Sequence, residues 1–198
     1  MSETSPTRAA VLELKDEQRA MHEGYVFLDE KCLLLAGEIL RELARHHELE
    51  SALRAAHEGA MSALQAALAR HGLEGLQVQP AAGQEASVLS RTPRSLMGVR
   101  LQDAAWTPAD APVAPAVNAS PEARACRRAF VALMAATAPL AAVTGNLVRL
   151  SQEYRRSVRR ARALQDVLLP ELGRNIHGIE TRLEELEQEE AVLMRRRA

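Results

Sequence analysis

The side chains best able to do chemistry in this chain are six histidines, two cysteines and two lysines. Three His-Glu pairs, His22-Glu23, His47-Glu48 and His57-Glu58, carry half of a zinc-helix signature. None has the second histidine, one turn later, that chelation requires. His46 and His47 are adjacent and diverge by about 100° on a helix, so they do not share a metal. Neither Lys15 nor Lys31 follows a glycine, and no G-x-G-x-x-G occurs, so no loop is built to cradle phosphates. The expectation is no catalytic residue, no metal and no cofactor, with the histidines as solvated helix residues. Cys32 and Cys126 lie far apart and suggest a reducing compartment rather than a disulfide framework.

What remains is charge. Arg149, Arg155, Arg156, Arg159, Arg160 and Arg162 form a basic block relieved only by Glu153, and an acidic run from Glu180 to Glu190 follows. The block reads as a solvated helix face, as a docking face for acidic protein loops, or as a nucleic-acid contact. Stacking aromatics are scarce and the block sits mid-heptad, which disfavours nucleic acid. The net charge of -1 points the same way.

The elements that must position these charges are helices. Of 198 residues, 47% are apolar, yet only five are aromatic and 36 are alanine. That composition fits a narrow core between slim helices better than a wide globular one. Ser5-Pro6 and Ser120-Pro121 each offer an N-cap serine ahead of a proline at the first helical position. Gly72, after Arg70-His71, offers a stop. The chain therefore divides into a helix over residues 6–71, a middle region over 72–120 and a second helix over 121–198. At about 1.5 Å per residue the helices would be roughly 100 and 115 Å long, and such helices need partners.

The apolar pattern supplies one. Leu14, Gln18, Met21, Tyr25, Leu28, Cys32, Leu35 and Ile39 alternate steps of four and three, and Leu43, Leu53, Ala56, Ala60, Leu64 and Ala67 continue less strictly. Phe130, Leu133, Thr137, Leu140, Thr144, Leu147, Ser151, Tyr154, Val158 and Ala161 repeat the pattern. Leu168, Leu172, Ile176, Ile179, Leu183, Leu186 and Leu193 resume it after one extra step of four, a stutter that implies local unwinding. The predicted fold is all-α: a long antiparallel two-helix coiled coil that pairs residue i with about 192 - i. In the middle region, Leu76–Gln79 and Met97–Leu101 alternate in polarity and are candidates to pair as a small β-hairpin. Thr107 to Pro121 reads as an extended loop.

Ala129 to Val148 runs without a charge for a transmembrane length. Its alanines, Thr137, Pro139, Thr144, Gly145 and Asn146 favour a helix covered by protein, so no membrane span is expected. The opposing segment, about residues 44–63, keeps Arg45, Glu48, Glu50, Arg54 and Glu58. The surplus apolar surface thus belongs to the second helix, with Phe130, Leu133, Met134, Leu140, Val143, Leu147 and Val148 as candidate anchors for a partner. The start of the chain lacks the basic and apolar regions of a secretory signal.

Ser5-Pro6-Thr7-Arg8 with Leu12, Leu14-Lys15, Gly24 and Leu28 to Lys31 resembles the opening of the D subunit of V-type and A-type ATP synthases. Leu96-Met97-Gly98-Val99 is similar to that family's V-M-G-V piece. Arg159 to Leu172, with Ile176, Ile179 and the following E-E-L-E-Q-E-E run, resembles its R-R-V-N-A-L-E…I-P-x-L…E-x-E-R-E-E. The chain departs from the pattern at Asp29, at Cys32-Leu33 and at Ala191-Val192. The resemblance implies a non-catalytic central rotor stalk, peripheral at the cytoplasmic face of the membrane, that carries torque between a catalytic hexamer and an ion-carrying ring. It also implies partners: the catalytic and regulatory subunits of the hexamer, facing Arg155, Arg156, Arg159 and Arg160, and the F subunit or the funnel subunit on the apolar anchors. Periodicity alone equally allows a stand-alone coiled-coil scaffold or adaptor.

Overall fold

A computed structural model of the chain describes residues 7–80, 87–109 and 116–197. The elements in order are α1 (Arg8–Gln77), β1 (Val88–Leu96), β2 (Val99–Thr107), α2 (Pro121–Ala163), a π-turn (Leu164–Leu168) and α3 (Leu169–Arg197). They form two compact units, one of Met1–Leu34 with Tyr154–Ala198 and one of Leu35–Glu153. The fold is the paired-helix architecture with a central β-hairpin that the sequence implies.

In the first unit, α1 begins on Thr7, whose hydroxyl accepts the Ala10 N–H at 3.2 Å. Ser5-Pro6, the start expected from the sequence, lies outside the described residues. Leu14, Gln18, Met21, Tyr25, Leu28 and Cys32 are each partly buried, and most residues between them are exposed. The stripe read from the sequence is therefore the packed one. Val11, Leu172 and Ile176 form its core, flanked by Leu14, Met21, Ile179 and Leu183. Arg8 meets Glu187 at 2.6 Å and Lys15 meets Glu180 at 2.7 Å, which makes the pair antiparallel and close to the i, 192 - i register.

The stutter takes the form of the π-turn. The Leu169 N–H donates to the Leu164 carbonyl, five residues back, so the helix is wound loosely for one turn. Pro170 follows at once. A proline has no N–H and its ring crowds the carbonyl four residues back, so a widened turn relieves what a regular α-helix would not.

In the second unit, Ser120 caps α2 by accepting the Ala123 N–H at 3.1 Å, with Pro121 as the first helical residue. The Ser120 hydroxyl also lies 2.6 Å from His71 Nε2, and Arg70 lies 3.3 Å from Glu122. These contacts tie the far end of α1 to the start of α2. Gly72 leaves the helical region at φ 66, ψ 175, and helical residues then resume to Gln77.

Two sequence expectations need correction here. The strands are Val88–Leu96 and Val99–Thr107, whereas Leu76-Gln77 ends α1 and Met97-Gly98 is the turn. Both turn residues have positive φ, 48° and 84°, the requirement of the two-residue turn that matches strand twist. The seam of α2 is also offset by one residue. Thr137 and Thr144 are exposed and donate to the Met134 and Leu140 carbonyls of their own helix. The buried stripe runs instead through Val143, Asn146, Leu150 and Ser157, and rejoins the expected one at Ala161.

Candidate functional site

The densest side-chain chemistry lies where the β-hairpin meets α1 and α2, all within the second unit. Glu38 and Glu42 stand one turn apart on α1 and are buried, at 5% and 3% exposure. Arg94 of β1 bridges them, with Nη1 2.6 Å from Glu38 and Nη2 2.5 Å from Glu42. Arg45 of α1 reaches Asp103 of β2 at 2.5 Å. Arg41 holds the other oxygen of Glu38 at 2.5 Å.

Asn146 of α2 completes the cluster and is fully buried. Its Oδ1 accepts the Gln102 N–H at 2.9 Å, and its Nδ2 donates to the Gln102 carbonyl at 2.9 Å and to Glu42 at 3.2 Å. Arg149 Nη2 donates to the same Oδ1 at 2.8 Å. The sheet register explains why Gln102 is available. Gln102 faces Pro93 at a position whose backbone groups point away from the partner strand. Pro93 therefore costs no ladder bond, and the outward groups of Gln102 are paired by a side-chain amide that mimics another strand. Under the hairpin, Val99 and Leu101 are buried.

Sequence reading missed this cluster. An Asn in a long uncharged run carried no contrast, and two acids at i, i+4 on a helix usually belong to a solvated face. Leu43, expected on the seam, is 53% exposed while Glu42 beside it is buried, the reverse of what their types favour.

The residues singled out from sequence fall in two places. Arg155, Arg156, Arg159 and Arg160 are all exposed, on the part of α2 within the first unit. Of the apolar anchors in the second unit, Phe130, Leu133, Met134, Leu140 and Leu147 are partly exposed and Val148 is 52% exposed. Val143 is fully buried, so its side chain belongs to the seam and offers nothing to a partner. The continuous helix from Pro121 is long and apolar enough to cross a membrane by length and composition, yet only 17% of its most apolar window is buried within the chain.

Among the described residues, no group of three His, Cys, Asp or Glu side chains is placed to hold a metal ion. Cys32 and Cys126 are free. Burial pushes both thiols up from their ordinary pKa, with Asp29 adding to the effect at Cys32. Glu50 is held below the usual carboxylate range by its hydrogen bond to Arg54.

Nothing in this arrangement activates a nucleophile or polarises a substrate. It holds one backbone element against another. Residues 10–197 match the family of the ATP synthase D subunit. The chain is 25% identical over 195 residues to the V-type ATP synthase D subunit of Thermotoga neapolitana, covering 97% of this chain and 95% of that one. It is 29% identical over 200 residues to that of Anaeromyxobacter dehalogenans, covering 99% and 96%. It is also 29% identical over 203 residues to the A-type ATP synthase D subunit of Methanopyrus kandleri, covering 99% and 86%. With the match running through both long helices and the hairpin between them, the chain belongs to the ATP synthase D-subunit family.

Proposed function

We propose that this chain is the central rotor stalk of a V/A-type ATP synthase, a non-catalytic component that carries torque between a catalytic hexamer and a membrane ion-translocating ring. The family match over residues 10–197 carries the reading, because it spans every element a stalk would need. The helix pairing supports it: an apolar seam resists separation of the helices, and cross-helix pairs such as Arg8–Glu187 and Lys15–Glu180 fix register. Those pairs are exposed and contribute little, so the seam carries the stability.

In this reading the unit holding both chain ends enters the hexamer, and Arg155, Arg156, Arg159 and Arg160 meet acidic loops of its catalytic and regulatory subunits. The uncharged part of α2 receives the F subunit or the funnel subunit on Phe130, Leu133, Met134, Leu140, Leu147 and Val148. Its low burial within the chain is what asks for a cover. The protein then works on the cytoplasmic side, peripheral to the membrane. Co-expression with the catalytic, F, funnel and ring subunits tests this. Stoichiometric recovery of one complex is expected, whereas a chain that purifies apart from all of them would return the reading to a coiled-coil scaffold.

A further inference from the structure

The β-hairpin is attached to the helices through several polar groups, and the two buried carboxylates among them, Glu38 and Glu42, have other cations within reach. Its fully buried apolar residues are Val99 and Leu101, with Leu96, Ala104 and Trp106 half-buried. Its polar contribution is Arg94 on Glu38 and Glu42, Asp103 on Arg45, and Gln102 on Asn146. An isolated two-stranded hairpin is marginal in water, so this one depends on its docking.

Removing a buried cation from two buried carboxylates would ordinarily be prohibitive, because it strands their charge. Here it does not strand them. Arg41 already sits on Glu38 at 2.5 Å, and Arg45 lies 3.8 Å from Glu42 while it holds Asp103. Both arginines follow their carboxylate by three residues on the same helix, within ordinary reach. If Arg94 leaves, Glu38 keeps Arg41, and Arg45 swings from Asp103 to Glu42. Glu38 and Glu42 each have a cation in both states, while Asp103 gives up Arg45 and becomes solvated.

We infer that the hairpin is a detachable arm held by an ion-pair exchange latch, in which Arg94 competes with Arg41 and Arg45 for Glu38 and Glu42. Two low-energy arrangements of one cluster are what a conformational switch needs. The inference rests on the second unit alone and stands whether or not the chain turns as a rotor.

The latch makes a prediction that a plain structural salt bridge does not. In a plain ion-pair cluster, loss of any arginine loosens the hairpin. In an exchange latch, loss of a competitor tightens it. The test is amide hydrogen exchange across β2 of the full-length chain, with the Gln102 N–H as the central reporter. Arg94→Gln should raise exchange at Gln102 and its β2 neighbours by about tenfold or more, with the α1 amides unchanged. Arg41→Gln should slow exchange at the same amides by roughly threefold, as Glu38 turns wholly to Arg94. Circular dichroism of both variants checks that the helices persist. Should Arg94→Gln melt them, Arg41→Gln alone decides, since slower β2 exchange there is the result a plain ion-pair cluster does not give. Unchanged or faster β2 exchange in Arg41→Gln would overturn the latch.

Discussion

The carboxamide of Asn146 pairs with Gln102 in both directions, accepting its N–H at 2.9 Å and donating to its carbonyl at 2.9 Å. One side chain of α2 thereby satisfies the outward backbone of β2, and with Glu42 it joins three elements at one buried point. Asn146→Ala removes all of these bonds at once. A loss of about 1–3 kcal/mol is expected, from a stranded Gln102 N–H and a Glu42 with one donor fewer. Urea unfolding of the full chain measures it, and a change below about 0.5 kcal/mol would mean that water replaces the amide without cost.

Val143 and Ala132 separate packing from docking on the same helix. Val143 is fully buried and Ala132 is exposed. Val143→Glu buries an unpaired charge and should unfold the second unit or cost more than about 3 kcal/mol. Ala132→Glu should leave the isolated chain within about 0.5 kcal/mol of its parent. In the proposed assembly it should still abolish binding of the F subunit or the funnel subunit. Calorimetry on the chain and pull-down with each partner read the two effects separately.

How much of this was legible in the sequence depends on contrast. In the first unit, Leu14, Gln18, Met21, Tyr25, Leu28 and Cys32 stand among charged residues, so the inward face was plain. The same reading slipped by one residue on α2, where Ala, Thr, Leu and Val alternate with nothing charged between them. An apolar run has no polar face to fix its phase, and the buried Asn146 looked like the outside. The hairpin was expected, but its strands were misplaced because Met97-Gly98 was read as strand rather than turn. The Glu38–Glu42–Arg94 cluster joins residues more than 50 positions apart, and no local pattern marks such a meeting.

The π-turn makes a paired prediction. Deleting Gln165, an exposed residue of the widened turn, should close it into regular α-helix and leave Leu172 and Ile176 on the seam. Pro170 would then crowd a regular turn, at a cost of about 3 kcal/mol. Adding Pro170→Ala to the deletion should recover most of that loss, although Pro170→Ala alone gains little. Thermal unfolding of the three variants checks the order. A deletion that is harmless with Pro170 in place would separate the proline from the turn.

Charge reversal at Arg155, Arg156, Arg159 and Arg160 together should weaken assembly with the hexamer and make the residual binding more salt-sensitive. The isolated chain should stay within about 1 kcal/mol of its parent, since all four side chains are exposed. Single reversals should do little. Sedimentation of the reconstituted complex at low and high salt reads the difference, and normal assembly of the quadruple variant would assign these arginines to a solvated face.

The most direct test of the rotor reading is to watch the chain turn. A Ser95→Cys variant, with Cys32→Ser and Cys126→Ala, carries one thiol on the exposed part of β1 for a visible probe. The catalytic hexamer is fixed to a surface and the probe is followed while ATP is hydrolysed. Stepwise rotation in one direction that stops when ATP is withdrawn is the predicted result. A complex that contains this chain and hydrolyses ATP at full rate while the probe stays still would contradict it.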